Sequence, residues 1–511
     1  MSIDQSTSQT HQKIANTLIW LRKHVSSNAE LHADTRSIIS GDVFVTYPVH
    51  DSDSRIFIQD AVIRGAAGIL YQPDGFSIAP GILPMLEVSK LNTIAGDIAS
   101  AWYGYPSNKM LVIGVTGTNG KTSCTQWIAA ALTALSCPCA VIGTLGIGML
   151  GKLSKTNFTM PDALQLQRNL ARLYYKEGAQ AVAIEVSSHG LHQGRANGTL
   201  FDIAVFTNLS QDHLDYHRTL DAYEEAKLRL FASPNLNSAV INLDDPVGIR
   251  LLKKLTGRLR TISYGIENTT KSSADFTIIA DNVHLTDTGS TFRICSPLGS
   301  AHLKSTMLGR FNISNLLAVL CTLLAAEVPF SAALTEILRL GQISGRMQKI
   351  GGRLEKDEPL IVIDYAHTPD ALEKALITLR LIAASRGGAL ICMFGCGGER
   401  DEKKRALMGS IAERLSDHVI VTNDNPRSED PQKIINHIIS DMNKPNKAYQ
   451  IKDRASAIWQ TILSVSGVDV VLVAGKGHEI TQEIMGEKYA FSDQDQVRQA
   501  LVAREMYIEK K

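Results

Sequence analysis

The apolar residues of this chain come in short blocks that stop abruptly at polar or glycine-rich residues. Leu111-Val112-Ile113-Gly114-Val115-Thr116 is such a block, and Trp127, Ile128, Ala131, Leu132 and Leu135 follow it at helical spacing. Residues 181–186 and 203–208 repeat the strand pattern. They run into Ser187-Ser188-His189-Gly190 and Leu209-Ser210-Gln211-Asp212-His213. Strand and helix in alternation predict a parallel sheet. Ligands bind just outside the carboxyl ends of such strands, so these polar ends define one site. Residues 275–305 alternate around a Thr-Asp-Thr-Gly turn and predict an antiparallel hairpin insertion, and residues 316–326 predict an apolar helix.

The flanking regions differ. Residues 1–107 read as a small mixed α/β domain, with helices over 14–25 and 56–64, strands over 42–46 and 68–71, and a polar loop at 50–55. After Ser344-Gly345-Arg346, residues 344–511 return to the strand-and-helix pattern. Four apolar blocks there end in Asp364-Tyr365-Ala366-His367, Gly395-Cys396-Gly397-Gly398-Glu399-Arg400, Thr422-Asn423-Asp424-Asn425-Pro426-Arg427 and Ala474-Gly475-Lys476-Gly477-His478-Glu479. This predicts a doubly wound, Rossmann-like unit. The fold class is α/β in three domains: the N-terminal one, a central parallel-sheet domain over 108–343 with the antiparallel insertion, and the C-terminal one.

Composition narrows the function. A chain of 511 residues is too long for one core, and 44% hydrophobic with 20% charged residues describes a globular protein. A formal net charge of +1 gives no electrostatic case for nucleic acid or an anionic membrane as partner. The cluster Lys403-Lys404-Arg405 reads as a helix surface. The seven cysteines are scattered and read mostly as small buried apolar residues in a reducing compartment. There is no signal peptide pattern and no uncharged run of membrane-spanning length, so a cytoplasmic protein is expected.

Gly117-Thr118-Asn119-Gly120-Lys121-Thr122 is a loop that cradles phosphate. Gly117 and Gly120 let backbone amides approach the anion, Lys121 adds a point charge, and the Thr122 hydroxyl is placed for the Mg²⁺ that accompanies ATP. A Gly five residues before the Gly-Lys pair is usual, and here that residue is Val115. Glu185, at the end of an apolar strand, needs a partner. A divalent cation shared with His213 supplies one, and a direct Glu–His hydrogen bond is the other reading. Lys227, in the charged stretch Asp221-Ala222-Tyr223-Glu224-Glu225-Ala226-Lys227-Leu228-Arg229, reads as a surface lysine. In Asp424-Asn425-Pro426-Arg427, Pro426 fixes the backbone, Arg427 offers a fork for a carboxylate, and Asp424 and Asn425 offer acceptors for an ammonium. With Arg400 they suit a zwitterionic amino acid. The spacing of Gly395, Gly397 and Gly398 does not fit a dinucleotide fingerprint.

Six motifs in order carry a resemblance along essentially the whole chain. They are Gly-Thr-Asn-Gly-Lys-Thr (117–122), Glu-Val-Ser-Ser-His-Gly (185–190), Thr-Asn-Leu-Ser-Gln-Asp-His-Leu-Asp-Tyr-His (207–217), Gly-Arg-Phe-Asn-Ile-Ser-Asn (309–315), Asp-Tyr-Ala-His-Thr-Pro-Asp (364–370) and Asp-Asn-Pro-Arg (424–427). The chain resembles the Mur ligases. The resemblance implies a UDP-sugar-binding N-terminal domain, a central ATPase and a mobile amino-acid-binding C-terminal domain. The implied reaction adds meso-2,6-diaminopimelate to UDP-N-acetylmuramoyl-L-alanyl-D-glutamate through an acyl phosphate, in peptidoglycan precursor synthesis. It implies ATP contacts at Gly117, Thr118, Asn119, Gly120, Lys121, Thr122, Ser123, Asn312, Asn315 and Arg346. Catalytic roles fall to Lys121, Glu185, His213 and Lys227, with Mg²⁺ held by Thr122, Glu185, His213 and a carbamate on Lys227. The UDP-muramoyl dipeptide is implied to bind Thr35, His50, Asp51, Ser52, Thr159, Met160, Ser187, Gln193 and Arg195. Diaminopimelate is implied to bind Arg400, Asp424, Asn425, Pro426, Arg427, Gly475 and Glu479. Thr35 stands where the family often has Ser, and Thr159-Met160 where many members have two threonines. The partners expected are these small molecules, with no nucleic acid and no membrane, and the protein is expected to act as a monomer.

A lysine-adding ligase or a folylpolyglutamate-type ligase is the nearest alternative. Arg427 argues against the first, and the N-terminal domain with Asp-Asn-Pro-Arg against the second. A non-ligating P-loop module is the alternative of another class, and it would not need a second doubly wound domain with a charged pocket.

Overall fold

The β-branched blocks become strands, most of them to within a residue or two of the predicted limits. The computed structural model describes residues 2–49, 52–76, 83–156, 158–267 and 272–508, and it contains two compact units. The first comprises residues 1–116, 125–205 and 225–239; the second comprises 117–124, 206–224 and 240–511.

In the first unit, Leu31–His32, Val43–Thr46, Gly68–Tyr71 and Met85–Glu87 form a parallel sheet in that order. Leu21, Leu31, Val45, Leu70, Leu91 and Ile98 pack together, burying apolar faces of the helices Ser2–His24 and Leu91–Trp102 against that sheet. The first helix begins well before the predicted residue 14, over a polar stretch that has no apolar stripe to mark it. Residues 56–64 divide into a 3₁₀ turn, Ser54–Phe57, and the helix Ile58–Ile63. The turn is nucleated by the Asp53 carboxylate, which accepts from the Arg55 amide. A second sheet places Leu111–Thr116 parallel to Ala181–Glu185, and Ala181–Glu185 parallel to Cys139–Gly143. Gly146–Met149 turns back antiparallel at its edge.

In the second unit, Arg260–Ile266 pairs parallel with Phe276–Leu285, which continues antiparallel into Ser290–Ser296 and Gly299–Ser305. The predicted hairpin is thus a three-strand meander. Its second turn, at Ser296-Pro297-Leu298-Gly299, closes with the Ser296 hydroxyl donating to the Gly299 carbonyl. The helix Arg310–Ala325 is buried along nearly its whole length. The last sheet has the order Gln348–Gly351, Leu360–Asp364, Val470–Ala474, Leu390–Phe394, His418–Val421 and Tyr449–Gln450, parallel except for its first strand. Val362, Cys392, Phe394 and Leu472 pack on one side, and Ile361, Ile363, Met393 and Val473 on the other. Both faces are covered, as a doubly wound unit requires.

The structure corrects the reading of Lys403-Lys404-Arg405 as a helix surface. Arg405, in the helix Lys403–Leu415, is fully buried, with its guanidinium paired to Glu429. All seven cysteines are free, five of them buried. Among the described residues no helix is long and apolar enough to cross a membrane.

Candidate active site

The phosphate loop leaves Leu111–Thr116 and enters the helix Lys121–Ala134 at its lysine. Within the second unit the loop is held by the strand end after Phe206. The Thr118 amide donates to the Asn208 carbonyl (2.8 Å), and the Asn119 amide to Asn208 Oδ1 (2.9 Å). Thr207 Oγ1 donates to the Asn119 carbonyl at 2.7 Å. A Cβ at Gly117, where φ is +147°, would overlap the Thr207 hydroxyl, which is why the loop needs glycine there. Lys121 folds back, its Nζ 2.8 Å from the Gly117 carbonyl and 2.7 Å from that of Thr118. Ser123 is buried in the first turn, and Thr122 Oγ1 accepts from Arg346 Nη2 at 3.0 Å. Asn315 meets the loop from the buried helix, its carbonyl 3.8 Å from Cys124 Sγ, and donates to Asn312 Oδ1 at 3.3 Å. All ten predicted nucleotide residues therefore have their place in this unit.

Two further side chains complete this loop. Tyr223 Oη lies 3.1 Å from Thr118 Oγ1, and burial pushes its phenol up. Asp370, at the start of the helix Pro369–Arg386, accepts from Asn119 Nδ2 and from Ser210 Oγ, both at 3.0 Å. Asn208, just past a strand end, and Asp370, in the first turn of a helix, lie inside the quoted motifs, so their position was a usable signal; Tyr223 gave none.

The second pocket of this unit is built from three strand ends of the last sheet. Asn425 Nδ2 donates to Glu479 Oε2 (2.8 Å). A Cβ at Gly475, where φ is +108°, would collide with the Asp424 carboxylate, so glycine lets the two loops meet. Burial pushes the Asp424 carboxyl up, against the pull of Lys476 and Arg454. For Glu479, burial acts upward too, but Lys476, by charge and hydrogen bond, and Asn425 bring it below the ordinary glutamate value. Arg427 follows Pro426 with φ at +52°, and its Nη1 donates to the Gly398 carbonyl. A Cβ at Gly397 would lie 3.1 Å from Arg427 Nη1 and 3.6 Å from Arg400 Cγ, so both cations border one glycine. The seven predicted residues of this pocket thus come together. Lys476, which the sequence reading passed over, is fully buried among them.

In the first unit, a cluster joins Thr159, Met160, Ser187, Gln193 and Arg195. Arg195 Nη1 donates to the Met160 carbonyl (2.8 Å), its Nε to Gln193 Oε1 (2.9 Å), and its guanidinium lies 5.3 Å from the Phe158 ring centre. Ser187 Oγ caps its short helix by accepting from the Gly190 amide at 3.0 Å. Thr159 Oγ1 is 3.2 Å from Thr144 Oγ1. Thr35 is buried in the 3₁₀ turn Thr35–Ser37, and its hydroxyl bonds Asp60, holding that carboxyl below its usual value. His50 and Asp51 lie outside the described residues, and Ser52 is described only as part of the short strand Ser52–Asp53.

Glu185 and Lys227 belong to the first unit, His213 and Thr122 to the second. Glu185 is fully buried; Oε1 accepts from the Thr144 amide (2.9 Å) and Oε2 from the Thr144 hydroxyl (3.1 Å). Thr144 is thus a partner that neither sequence alternative named. His213 has φ +54° and keeps its Nε2 3.4 Å from Asp212 Oδ2. Burial acts to raise the Asp212 carboxyl, but His213, His367 and Lys404 bring it below its ordinary value. Lys227 is only 1% exposed, which overturns its reading as a surface lysine.

A phosphate loop fed by a parallel strand, followed in sequence by a doubly wound sheet with its own charged pocket, is the arrangement that comparison with known proteins also finds. Residues 115–323 match the Mur ligase middle domain and residues 345–477 the Mur ligase, glutamate ligase domain. The chain belongs to the Mur ligase family. It is 51% identical, over 96% of both chains, to the UDP-N-acetylmuramoyl-L-alanyl-D-glutamate--2,6-diaminopimelate ligase of Ralstonia nicotianae. It is 45% identical to the protein of that name from a Janthinobacterium species, over 97% of this chain and 98% of the other. A solved structure of a ligase of the same name is 36% identical, with a TM-score of 0.64 over 93% of this chain and 95% of that one.

Proposed function

We infer that this chain is an ATP-dependent ligase joining meso-2,6-diaminopimelate to UDP-N-acetylmuramoyl-L-alanyl-D-glutamate, a step in peptidoglycan precursor synthesis. The observation that carries the acceptor is the pocket in which Arg427 and Arg400 border Gly397 while Asn425 and Glu479 hydrogen-bond each other. Guanidinium for carboxylate and carboxylate for ammonium is the complement of an amino-acid zwitterion.

The chemistry follows from the residues. The free D-glutamyl carboxylate attacks the γ-phosphorus of ATP, releasing ADP and forming an acyl phosphate. Lys121, now on the carbonyls of Gly117 and Thr118, turns to the phosphates and stabilises charge on the moving group. The diaminopimelate amine attacks the acyl carbon, loses its proton, and phosphate leaves. Arg195, Gln193 and Ser187 hold the UDP-muramoyl dipeptide, with Thr35 and Thr159, and Arg346 and Asn315 hold the nucleotide. Arg427 works by orientation.

Hydroxyl, carboxylate and imidazole donors at Thr122, Glu185 and His213 suit Mg²⁺, which neutralises phosphate charge when bound. A carbamate on Lys227, formed when CO₂ adds to its amine with loss of a proton, adds a carboxylate. We assign domain limits at 1–107, 108–343 and 344–511, a monomer, and a cytoplasmic site of action, where its substrates are made.

The test is phosphate release from ATP and Mg²⁺ with the UDP-muramoyl dipeptide, comparing meso-diaminopimelate, L-lysine and no amino acid. Release with meso-diaminopimelate alone, with the tripeptide product seen by mass, is expected. Release with lysine instead overturns the acceptor, and release without any acceptor overturns ligation.

A further inference from the structure

Lys476 is fully buried, and the chemistry set out above does not use it. A buried ammonium is costly unless every proton finds an acceptor, so its partners show what it is for. Its Nζ donates to Asn425 Oδ1 and to Glu479 Oε2, both at 2.9 Å. The Glu483 amide also donates to Asn425 Oδ1, at 3.0 Å. Two donors converging on one amide oxygen leave only one orientation for the Asn425 side chain, with its NH₂ toward Glu479. Oε2 of Glu479 is then engaged twice, by Lys476 and by Asn425, and Oε1 is the oxygen left to receive a ligand.

We propose that Lys476 is a positioning residue for the amino-acid acceptor: it locks the Asn425 amide and one oxygen of Glu479, so that the other oxygen meets the incoming ammonium. The proposal rests on the diaminopimelate reading of this pocket and deepens it. Without the cation, Asn425 Oδ1 keeps only the Glu483 amide, and Asp424 and Glu479 lose the nearer of the two cations that offset their repulsion, leaving Arg454. The charged and titratable groups around Glu479 are Lys476, His478, Asp424, Tyr365 and Arg454, the last paired in turn to Asp493. Of these, Lys476 is the cation in hydrogen-bond contact with it.

Lys476→Met keeps an unbranched side chain, one atom shorter, and removes its charge. Its steady-state constants for all three substrates should be measured, with the pH profile of kcat/KM for meso-diaminopimelate. The KM for meso-diaminopimelate should rise about tenfold or more, while those for ATP and the UDP-muramoyl dipeptide stay within about twofold. The acid limb of the profile should move to higher pH, because Glu479 has lost the cation that keeps it ionised. In Glu479→Gln that limb should vanish, and adding Lys476→Met should cost less than it does alone. An unmoved KM and limb, or equal losses for all three substrates, would overturn the proposal. If Lys476→Met does not fold, as judged by its melting curve, Lys476→Gln is read the same way. Unmodified protein that ignores meso-diaminopimelate would overturn the acceptor assignment itself; active protein with an unaffected Lys476→Met overturns only this inference.

Discussion

The Arg427 guanidinium reaches the Gly398 carbonyl and stands 3.6 Å from Glu483, so it is aimed before any substrate arrives. Losing a charge-assisted hydrogen bond of this kind costs about 1.5–3 kcal/mol. Arg427→Ala should therefore raise the KM for meso-diaminopimelate by roughly 10- to 100-fold with the KM for ATP unchanged, as steady-state kinetics would show. Equal effects on both would sink the assignment. Lys121→Ala should abolish phosphoryl transfer while the protein still melts cooperatively, because the variant removes the charge on the phosphate loop and leaves the loop's backbone hydrogen bonds to Asn208 in place. At this scale the sequence was legible for residues whose chemistry is declared by a motif and illegible for those whose burial depends on distant elements. Lys227 and Arg405 sit in charged stretches that look solvated, yet both are buried. Arg405 owes this to Glu429, which lies 24 positions away and which no local pattern links to it.

Elements of the last domain are tied by two ion pairs of different exposure. Arg454 and Asp493, both fully buried, join the helix Arg454–Ser464 to the start of Asp493–Ile508 through contacts of 2.7 Å. Asp493→Asn leaves a buried guanidinium without its counter-charge and should cost about 3–5 kcal/mol, visible as a lower urea midpoint. Glu429 is the acid-sensitive one. Its hydrogen bonds with Arg405 hold the carboxyl below the ordinary value of 4.5. A depressed folded-state value stabilises above 4.5 and loses that contribution as pH falls through the folded value. Thermal melts of Glu429→Gln and the unmodified protein should differ near neutral pH and converge in acid. The parallel strands were legible because burial on both faces writes them as unbroken apolar blocks. The antiparallel hairpin was legible from its alternation and its Thr-Asp-Thr-Gly turn, whereas the third strand of the meander and the early start of the first helix were not, since a short half-exposed strand and polar helical turns carry little mark.

For the whole molecule, nucleotide should act as a stabiliser. The loop is preformed by Asn208, Thr207 and Asp370, so little ordering has to accompany binding. ADP at a hundredfold excess over its Kd should add about 2.7 kcal/mol, read as a rise in melting temperature that Lys121→Ala diminishes. Architecture at this scale was the most legible of all, because strand-and-helix alternation and six ordered motifs run the length of the chain. One backbone angle also bears on how such a protein changes over generations. Arg427 occupies the left-handed region that side chains other than glycine and asparagine enter at a cost of about 1 kcal/mol. Replacing it with either relieves that cost at the backbone while discarding the fork and its bond to the Gly398 carbonyl, so folding alone defends this arginine only weakly. Selection on the product has to supply the rest, and a lineage released from it would lose its preference for the acceptor long before it lost the protein.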